Sequence, residues 1–302
     1  MCKLKSGLLF KNGVFVPDYD SHDKMLREKC IEDTAENRIA GKFVRFELSP
    51  ENDDPFVPID MWVFKIDQDE LPEWIKSDPE KYEAMARAAV KEWAEKHIFI
   101  GIDKLNLTDG SGYYLKDCTN VTLSGSSTVQ DMRGSSTVQD MWDSSTVQDM
   151  WGSSTVRNMR DSSTVRNMRD SSTVQDMRDS STVRNMWGSS TVQDMRGSST
   201  VRNMWGSSTV QDMRGSSTVQ DMWDSSTVQD MWGSSTVRNM RDSSTVQDMS
   251  GSSTVQIAEN LSKGVNVKTI ILSQNAIIKD CRTKTLYAVG DWKLSIKEAS
   301  DA

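Results

Sequence analysis

A nine-residue repeat constrains the fold of this chain more than any other feature. From Gly125 the unit Gly/Asp-Ser-Ser-Thr-Val-Gln/Arg-Asp/Asn-Met-Arg/Trp recurs in fourteen full copies to Ser250, and a fifteenth copy breaks off after Gln256. Ser-Ser-Thr-Val and Met do not vary within the fourteen copies. Self-similarity at a short, fixed period is the signature of stacked structural units. Positions within the unit are numbered below with Gly125 as position 1.

Three kinds of structure compete for such a repeat. A helix is disfavoured, because Ser, Thr and Val are weak helix formers and Gly or Asp arrives at every ninth residue. Disorder fits the Ser-rich, polar composition, but each unit also supplies Val and Met in fixed phase. We therefore expect an all-β solenoid (a β-helix) in which each unit forms one short strand and one corner. We expect two units per coil, with three as the alternative.

The alternation of side chains along a strand predicts which positions are buried. If Val at position 5 points inward, Ser at position 3 does too, and positions 2, 4 and 6 face water. Met at position 8 has the opposite parity, so we expect a corner near positions 6–7 to return it to the interior. Gly or Asp at position 1 suits a turn with positive φ.

The composition divides the chain into four segments. Residues 1–107 predict a small α+β head, residues 108–124 an N-terminal solenoid cap, residues 125–256 the repeat solenoid, and residues 257–302 a C-terminal cap. Caps are expected because the open ends of a solenoid carry unpaired backbone groups. The Lys-Asp-Cys segments 116–118 and 279–281 follow apolar residues on each side of the array, and predict degenerate coils with buried cysteines.

Local signals in the head predict two strands, a hairpin and two helices. The Asn12-Gly13 pair predicts a hairpin over residues 8–16. Asp20 or Ser21 is the expected N-cap of a helix over 22–30, and Asp78 or Ser77 that of a longer helix over 79–97. We expect the apolar face of the long helix to contain Tyr82, Met85, Ala89, Trp93 and Ala94. The two strands are expected at residues 43–48 and 62–66.

Catalytic motifs are lacking in the sequence. There is no nucleophile motif, phosphate loop or pair of catalytic carboxylates, so we expect no enzyme, no cofactor and no metal site. Asp18, Asp20, His22 and Asp23 form the one cluster with metal-ligand chemistry, and an enzyme built on it is the remaining alternative. His97 is expected to act as a favourable charge at a helix C-terminus.

The variable positions of the repeat are the candidates for binding. Position 9 exchanges Arg for Trp, which no core position tolerates, so we expect it to face solvent. Positions 6 and 7 switch together, and neither variation follows an odd–even rule, in agreement with copying of whole units. A stripe of indole and guanidinium groups would suit a protein or glycan partner. Its members are Trp142, Trp151, Trp187, Trp205, Trp223, Trp232, Arg133, Arg160, Arg169, Arg178, Arg196, Arg214 and Arg241.

The net charge and the targeting signals limit the kinds of partner and the compartments that we expect. With a net charge of −8 and a sequence pI near 5.0, the chain does not predict a nucleic-acid partner, which needs clustered Lys and Arg. No signal-peptide core or apolar run of membrane-spanning length is present, so we expect a cytoplasmic or virion-associated protein. Two alternatives remain open: a self-assembling filament or phage-particle component, and an ice-binding surface made by Ser and Thr hydroxyl ladders.

Several head motifs, joined to Ser-x-Thr-Val repeats, carry a resemblance. They are Lys5-Ser6-Gly7, Val14-Phe15-Val16-Pro17-Asp18, Asp20-Ser21-His22 and Asp67-Gln68-Asp69. The chain resembles a group of head-plus-repeat proteins of gut bacteria and their phages, to which no activity is assigned. The resemblance implies a head-plus-solenoid architecture and an origin in phages or mobile elements, and implies no site residues.

Overall fold

A computed structural model describes residues 5–258 and 271–289. The chain divides into two compact units: residues 1–101 with 111–116, and residues 102–110 with 117–302. The N-terminal unit is α+β and the second is a parallel β-solenoid, which confirms the predicted fold class. Within the predicted C-terminal cap, residues 259–270 and 290–302 lie outside the described residues, as does Cys2.

The first unit is built on an antiparallel sheet with the strand order β2-β1-β3-β4. Strands β5 and β7 pair with each other in parallel. The strands are β1 (Lys5–Phe10), β2 (Gly13–Phe15), β3 (Val44–Ser49), β4 (Val63–Ile66), β5 (Ile98–Ile100) and β7 (Tyr113–Lys116). The helices are α1 (His22–Glu28), α2 (Ala35–Ile39), α3 (Glu73–Ser77) and α4 (Pro79–His97), with a 3-10 turn at Ile59–Met61.

Helix α4 supplies much of the core of this unit. Asp78 caps its first turn by accepting a hydrogen bond from the Lys81 amide, and Pro79 occupies the first helical position, as the sequence predicts. The buried face is centred on Ala86 and Val90, whereas Met85 and Ala89 lie at its half-exposed margin. Strand residues and Trp62 pack on this face and complete the core.

One local prediction for the head is wrong in detail. The hairpin forms, but Phe10 pairs with Gly13, so the turn residues are Lys11 and Asn12 and not Asn12-Gly13. His97 lies in the last turn of α4, as predicted, and its ring is 6 % exposed and stacks between Trp93 and Tyr113. Its favourable interaction with the helix dipole stays a prediction.

A buried lysine ties the first strand to the loop before α1. Lys5 is fully buried, and its ammonium lies 2.9 Å from an Asp20 carboxylate oxygen and 4.5 Å from the centre of the Trp93 ring. The same carboxylate oxygen accepts a hydrogen bond from the Ser6 amide. Burial lowers the pKa of Lys5, and the Asp20 carboxylate opposes that shift. Asp20 therefore neutralises a buried cation, while Ser21 caps α1.

Removal of the Asp20 carboxylate should destabilise this unit. We expect Asp20→Ala to lower the free energy of unfolding by at least about 2 kcal/mol, because Lys5 is left as an uncompensated buried charge. Urea denaturation followed by tryptophan fluorescence measures the change. Asp69→Ala removes an exposed carboxylate of the same unit and should have little effect. Equal losses in the two variants would contradict this role for Asp20.

The second unit contains one strand per repeat. Strand β6 (Leu105–Thr108) and strand β8 (Val121–Ser124) precede the array. The repeat strands are β9 (Thr128–Arg133), β10 (Thr137–Met141), β11 (Thr146–Met150), β12 (Thr155–Met159), β13 (Thr164–Met168), β14 (Thr173–Met177), β15 (Thr182–Met186), β16 (Thr191–Met195), β17 (Thr200–Met204), β18 (Thr209–Met213), β19 (Thr218–Met222), β20 (Thr227–Met231), β21 (Thr236–Met240), β22 (Thr245–Met249) and β23 (Thr254–Ile257).

Each repeat strand pairs in parallel with the strand two repeats away, so a coil contains two repeats, as predicted. Thr137 lies beside Thr155 and Met141 beside Met159, a separation of eighteen residues. Odd-numbered strands from β9 to β23 form sheet I, and even-numbered strands from β6 to β22 form sheet II. Every repeat therefore stacks directly on an equivalent repeat of the next coil.

The expected corner at positions 6–7 is wrong. Each strand continues from position 4 to position 8, and the chain turns between positions 9 and 3. The pairing register includes positions 4, 5, 7 and 8 and skips position 6. The inward–outward alternation of side chains is therefore interrupted at position 6. Val at position 5 and Met at position 8 both point inward as a result, and both are fully buried along the array, as is Ser at position 3.

Position 1 takes a left-handed backbone conformation in every copy, as predicted. Its φ is 52–58° at the six Asp residues and 61–69° at the Gly residues. Where Asp is present, its carboxylate accepts a hydrogen bond from the position 1 amide of the preceding coil. The Gly125 amide, for example, donates to Asp143 at 3.0 Å, and the Gly152 amide to Asp170 at 3.0 Å. Gly and Asp thus both adopt the left-handed conformation that the turn requires, and Asp adds one hydrogen bond.

Degenerate strands extend the solenoid beyond the repeat array on both sides, as predicted. On the N-terminal side, β6 pairs with β8, and Val121, Leu123 and Cys118 are fully buried. On the C-terminal side, β24 (Ile271–Leu272) extends sheet II, and β25 (Ile277–Asp280) pairs with β23. Strand β26 (Thr285–Ala288) then pairs antiparallel with β25. Cys118 is buried as predicted, whereas Cys281 is only half-buried.

The position 1 geometry gives a test within the array. Asp161 has φ of 56°, and Asp161→Ala should destabilise the solenoid by about 1 kcal/mol more than Asp161→Gly, because only glycine avoids the left-handed penalty. Both variants lose the same carboxylate, so the difference isolates backbone strain. Urea midpoints from circular dichroism provide the measurement. An alanine variant as stable as the glycine variant would contradict the assignment.

Candidate binding surface

The two sheets sort the variable residues of the repeat into separate columns. Because strands alternate between the sheets, position 9 forms one column along sheet I and another along sheet II. The predicted single stripe of thirteen residues is therefore wrong, because the structure divides it in two. The sheet I column contains Arg133, Trp151, Arg169, Trp187, Trp205, Trp223 and Arg241; the sheet II column contains Trp142, Arg160, Arg178, Arg196, Arg214 and Trp232.

The sheet I column is a nearly continuous stack of indole and guanidinium groups. The Arg169 guanidinium lies 4.2 Å from the centre of the Trp151 ring and 4.8 Å from that of Trp187. The rings of Trp187 and Trp205 are 5.4 Å apart between centres. Such cation–π contacts contribute about 0.5–1 kcal/mol each at exposed sites. They restrain these long side chains at the protein surface.

The sheet II column is mainly basic and is paired with acidic residues. Arg196 and Arg214 lie 3.6 and 3.7 Å from Asp194 and Asp212, the position 7 carboxylates of their own repeats. Trp142 and Trp232 are the first and last tryptophans of this column and are 45 % and 50 % exposed. The prediction that position 9 faces solvent is confirmed for these two residues and for Arg196 and Arg214, whereas the other Trp and Arg residues at position 9 are half-buried and Ser250 is buried.

The residue types at positions 6 and 7 differ even more between the two sheets. Four of the five Arg-Asn repeats lie on sheet I, and those in β13, β15 and β17 follow one another directly. Their arginines are exposed, and these three strands contain no acidic residue. Together with the adjacent position 9 groups they form the surface that we call the basic patch: Arg166, Arg184, Arg202, Arg169, Trp187 and Trp205.

An amide ladder lies beside these arginines and keeps the strands in register. The Asn185 side-chain amide donates to the Asn167 side-chain oxygen at 2.9 Å, and Asn203 donates to Asn185 at 2.9 Å. Asn167 in turn donates to Asp149 at 2.9 Å. Because these side chains satisfy one another, they leave the guanidinium groups of position 6 available for external carboxylates.

The charge balance of the two sheets follows from this sorting. Across positions 6, 7 and 9 of the fourteen copies, sheet I carries seven Arg and three Asp, and sheet II carries five Arg and six Asp. The net charges are +4 and −1. Six further Asp residues at position 1, in the turns, bring the net charge of the fourteen copies to −3. Positions 6, 7 and 9 of sheet I are thus the basic part of an array that is slightly acidic as a whole.

The predicted binding residues omit three members of the basic patch. Arg166, Arg184 and Arg202 vary with their Asn neighbours and belong to the fifth, seventh and ninth copies. Their odd numbering was the signal that could have found them. Once two repeats per coil are assumed, odd copies must share a sheet, and three successive odd copies must form one column.

The metal-ligand candidates of the head pair with different side chains of the same unit. Asp20 pairs with Lys5, and Asp18 lies 3.3 Å from the Nε2 atom of His97. His22 Nδ1 lies 3.3 Å from an Asp67 oxygen. No group of three or more metal-ligating side chains is found among the residues that the structure describes.

Comparisons with known proteins do not assign this chain to a family. No family model, curated protein or solved structure matches it. Within residues 5–258 and 271–289, no helix is both long and apolar enough to cross a membrane.

Proposed function

We propose that this chain is a non-enzymatic binding scaffold whose basic patch docks to an acidic surface of a partner protein. The observation that carries the proposal is the column of exposed Arg166, Arg184 and Arg202 on three successive strands without an acidic residue. Adjacent coils place these guanidinium groups about 4.8 Å apart along the column. Each can form paired hydrogen bonds with a carboxylate.

The neighbouring aromatic groups support a protein partner. Trp and Arg are the residue types that dominate the binding energy of protein interfaces. In the basic patch, stacking already restrains Trp187, Trp205 and Arg169, so binding would cost little additional side-chain entropy. An anionic glycan is the alternative partner, because sulfate or carboxylate groups on sugars present similar acceptors.

Binding to a defined acidic polypeptide tests the patch. We expect immobilised poly-L-glutamate to bind the wild-type chain, and the triple variant Arg166→Gln, Arg184→Gln, Arg202→Gln to bind at least about tenfold more weakly, a loss of about 1.4 kcal/mol. Gln is the alternative residue at position 6, so the variant keeps the repeat pattern. Biolayer interferometry at fixed ionic strength measures the dissociation constants.

The matched control removes the same charge from the other sheet. Arg178→Ser, Arg196→Ser, Arg214→Ser uses the serine that occupies position 9 at Ser250, and should leave binding almost unchanged. Equal weakening by both triple variants would show a response to net charge and contradict docking at the basic patch. Stronger binding to dextran sulfate than to poly-L-glutamate would favour the glycan.

Self-assembly is a second candidate function, favoured by the opposite charges of the two faces. Position 7 of sheet II carries Asp in five successive coils, at Asp176, Asp194, Asp212, Asp230 and Asp248. These residues could face the basic patch of a second copy. Because the contact would join two different surfaces, it could repeat without closing and produce a filament. The phage-particle role and the ice-binding alternative stay predictions.

Sedimentation velocity distinguishes self-assembly from binding. If the faces associate, the wild-type chain should sediment as oligomers at low salt and dissociate as salt screens the charges. The Arg166→Gln, Arg184→Gln, Arg202→Gln variant should remain monomeric under the same conditions. A wild-type chain that is monomeric at high concentration and low salt would contradict this candidate.

A further inference from the structure

The position 9 columns follow one stacking rule with a single exception. In the array, each Trp at position 9 is followed eighteen residues later by Arg or Trp, except Trp232, which is followed by Ser250. Where Arg follows Trp, the guanidinium lies over the ring: Arg160 over Trp142 at 5.7 Å, Arg169 over Trp151 at 4.2 Å and Arg241 over Trp223 at 4.1 Å. Trp232 lacks this covering group within its own column.

A cavity lies where that arginine would be. It has a volume of about 280 Å³, and its lining includes Trp232, Asp230, Asp248 and Ser250. Ser273 continues the position 9 column in the next coil, since its amide bonds to the Met249 carbonyl just as the Ser250 amide bonds to that of Met231. Two successive small residues therefore leave space beside the Trp232 ring, which is 50 % exposed.

The carboxylates that line the cavity lie at position 7, where aspartates elsewhere in sheet II pair with position 9 arginines. Two of the four arginines at position 9 of sheet II lie close to the position 7 carboxylate of their own repeat, Arg196 to Asp194 and Arg214 to Asp212. Asp248 is the position 7 residue of the repeat that ends in Ser250. It is exposed and lines the cavity together with Asp230.

We propose that this cavity is a binding site for a guanidinium group, supplied by an arginine side chain of a partner protein. The ring of Trp232 would stack on the guanidinium, and the Asp248 and Asp230 carboxylates would accept its hydrogen bonds. The volume of about 280 Å³ leaves room for an arginine side chain. The incoming arginine would combine two contacts that the chain's own arginines make at separate places: stacking, as Arg160 does on Trp142, and ion pairing, as Arg196 does with Asp194.

The electrostatics of the cavity agree with a cationic ligand. Burial raises the pKa of Asp230, and the neighbouring Asp212 and Asp248 carboxylates raise it further, against the opposing effect of Arg214. A cation between Asp230 and Asp248 would reduce this repulsion. The site is on sheet II and shares no residue with the basic patch on sheet I, so this proposal and docking of the basic patch to a partner protein can fail separately. Asp230 and Asp248 also belong to the acidic row of the self-assembly candidate, which sedimentation tests on its own.

Nuclear magnetic resonance of the full chain tests the site with a minimal probe. The probe is Nα-acetyl-L-arginine amide, and its control is the citrulline analogue, which has nearly the same shape without the charge. The indole N–H resonance of Trp232 is assigned as the one that disappears in Trp232→Arg. We expect the arginine probe to shift this resonance with a dissociation constant in the millimolar range, and the citrulline probe to leave it unchanged.

Variants drawn from the repeat itself complete the test. Ser250→Arg places the chain's own guanidinium in the cavity, and should abolish the shift and raise the thermal midpoint. Asp248→Asn keeps a residue type found at position 7 and should weaken probe binding severalfold. Asp140→Asn changes the same position at the other end of the column and should not affect it.

Three results would overturn the proposal. The first is a Trp232 resonance that does not move in the wild-type chain. The second is an equal shift with the citrulline probe, which would indicate apolar contact without recognition of charge. The third is a shift that persists in Ser250→Arg, which would place the probe outside the cavity.

Discussion

Every surface of the solenoid depends on parallel pairing between residues eighteen positions apart. This pairing places each side chain beside its equivalent in the next coil, as with Val138 and Val156. Identical apolar residues then form continuous buried columns, and variable residues form continuous exposed ones. A sequence that changes only at positions 1, 6, 7 and 9 therefore alters the surface without disturbing the Val and Met interior.

Stacking of equivalent side chains has a cost as well as a benefit. Asparagine columns gain from it, because each amide can donate to the oxygen of its neighbour, as Asn185 does to Asn167. Aspartate columns bring like charges together: the pKa of Asp230 is raised first by burial and then by the neighbouring Asp212 and Asp248 carboxylates. Arginine beside tryptophan avoids the problem, since the indole face attracts the guanidinium that follows it.

Much of the solenoid could be predicted from the sequence, and the head less so. The unit length, two repeats per coil, buried Val and Ser and the turn at position 1 all follow from the repeat. The burial of Met was also predicted, but through a corner at positions 6–7 that does not form. The strand instead skips a pairing at position 6, and strict alternation cannot reveal that irregularity. In the head, the pairing of Lys5 with Asp20 and the stacking of His97 join residues distant in sequence. The basic patch could have been found from the odd numbering of its repeats.

The half-coil size of the repeat affects how such an array can change by recombination. Gain or loss of one nonapeptide would move every later copy to the opposite sheet and exchange the characters of the two faces beyond that point. The same event with two nonapeptides would leave each copy on its own sheet and only change the length. Both products would fold equally well, since the interior residues are identical in all copies. Selection for a surface, as distinct from selection for a fold, would therefore favour changes in steps of eighteen residues.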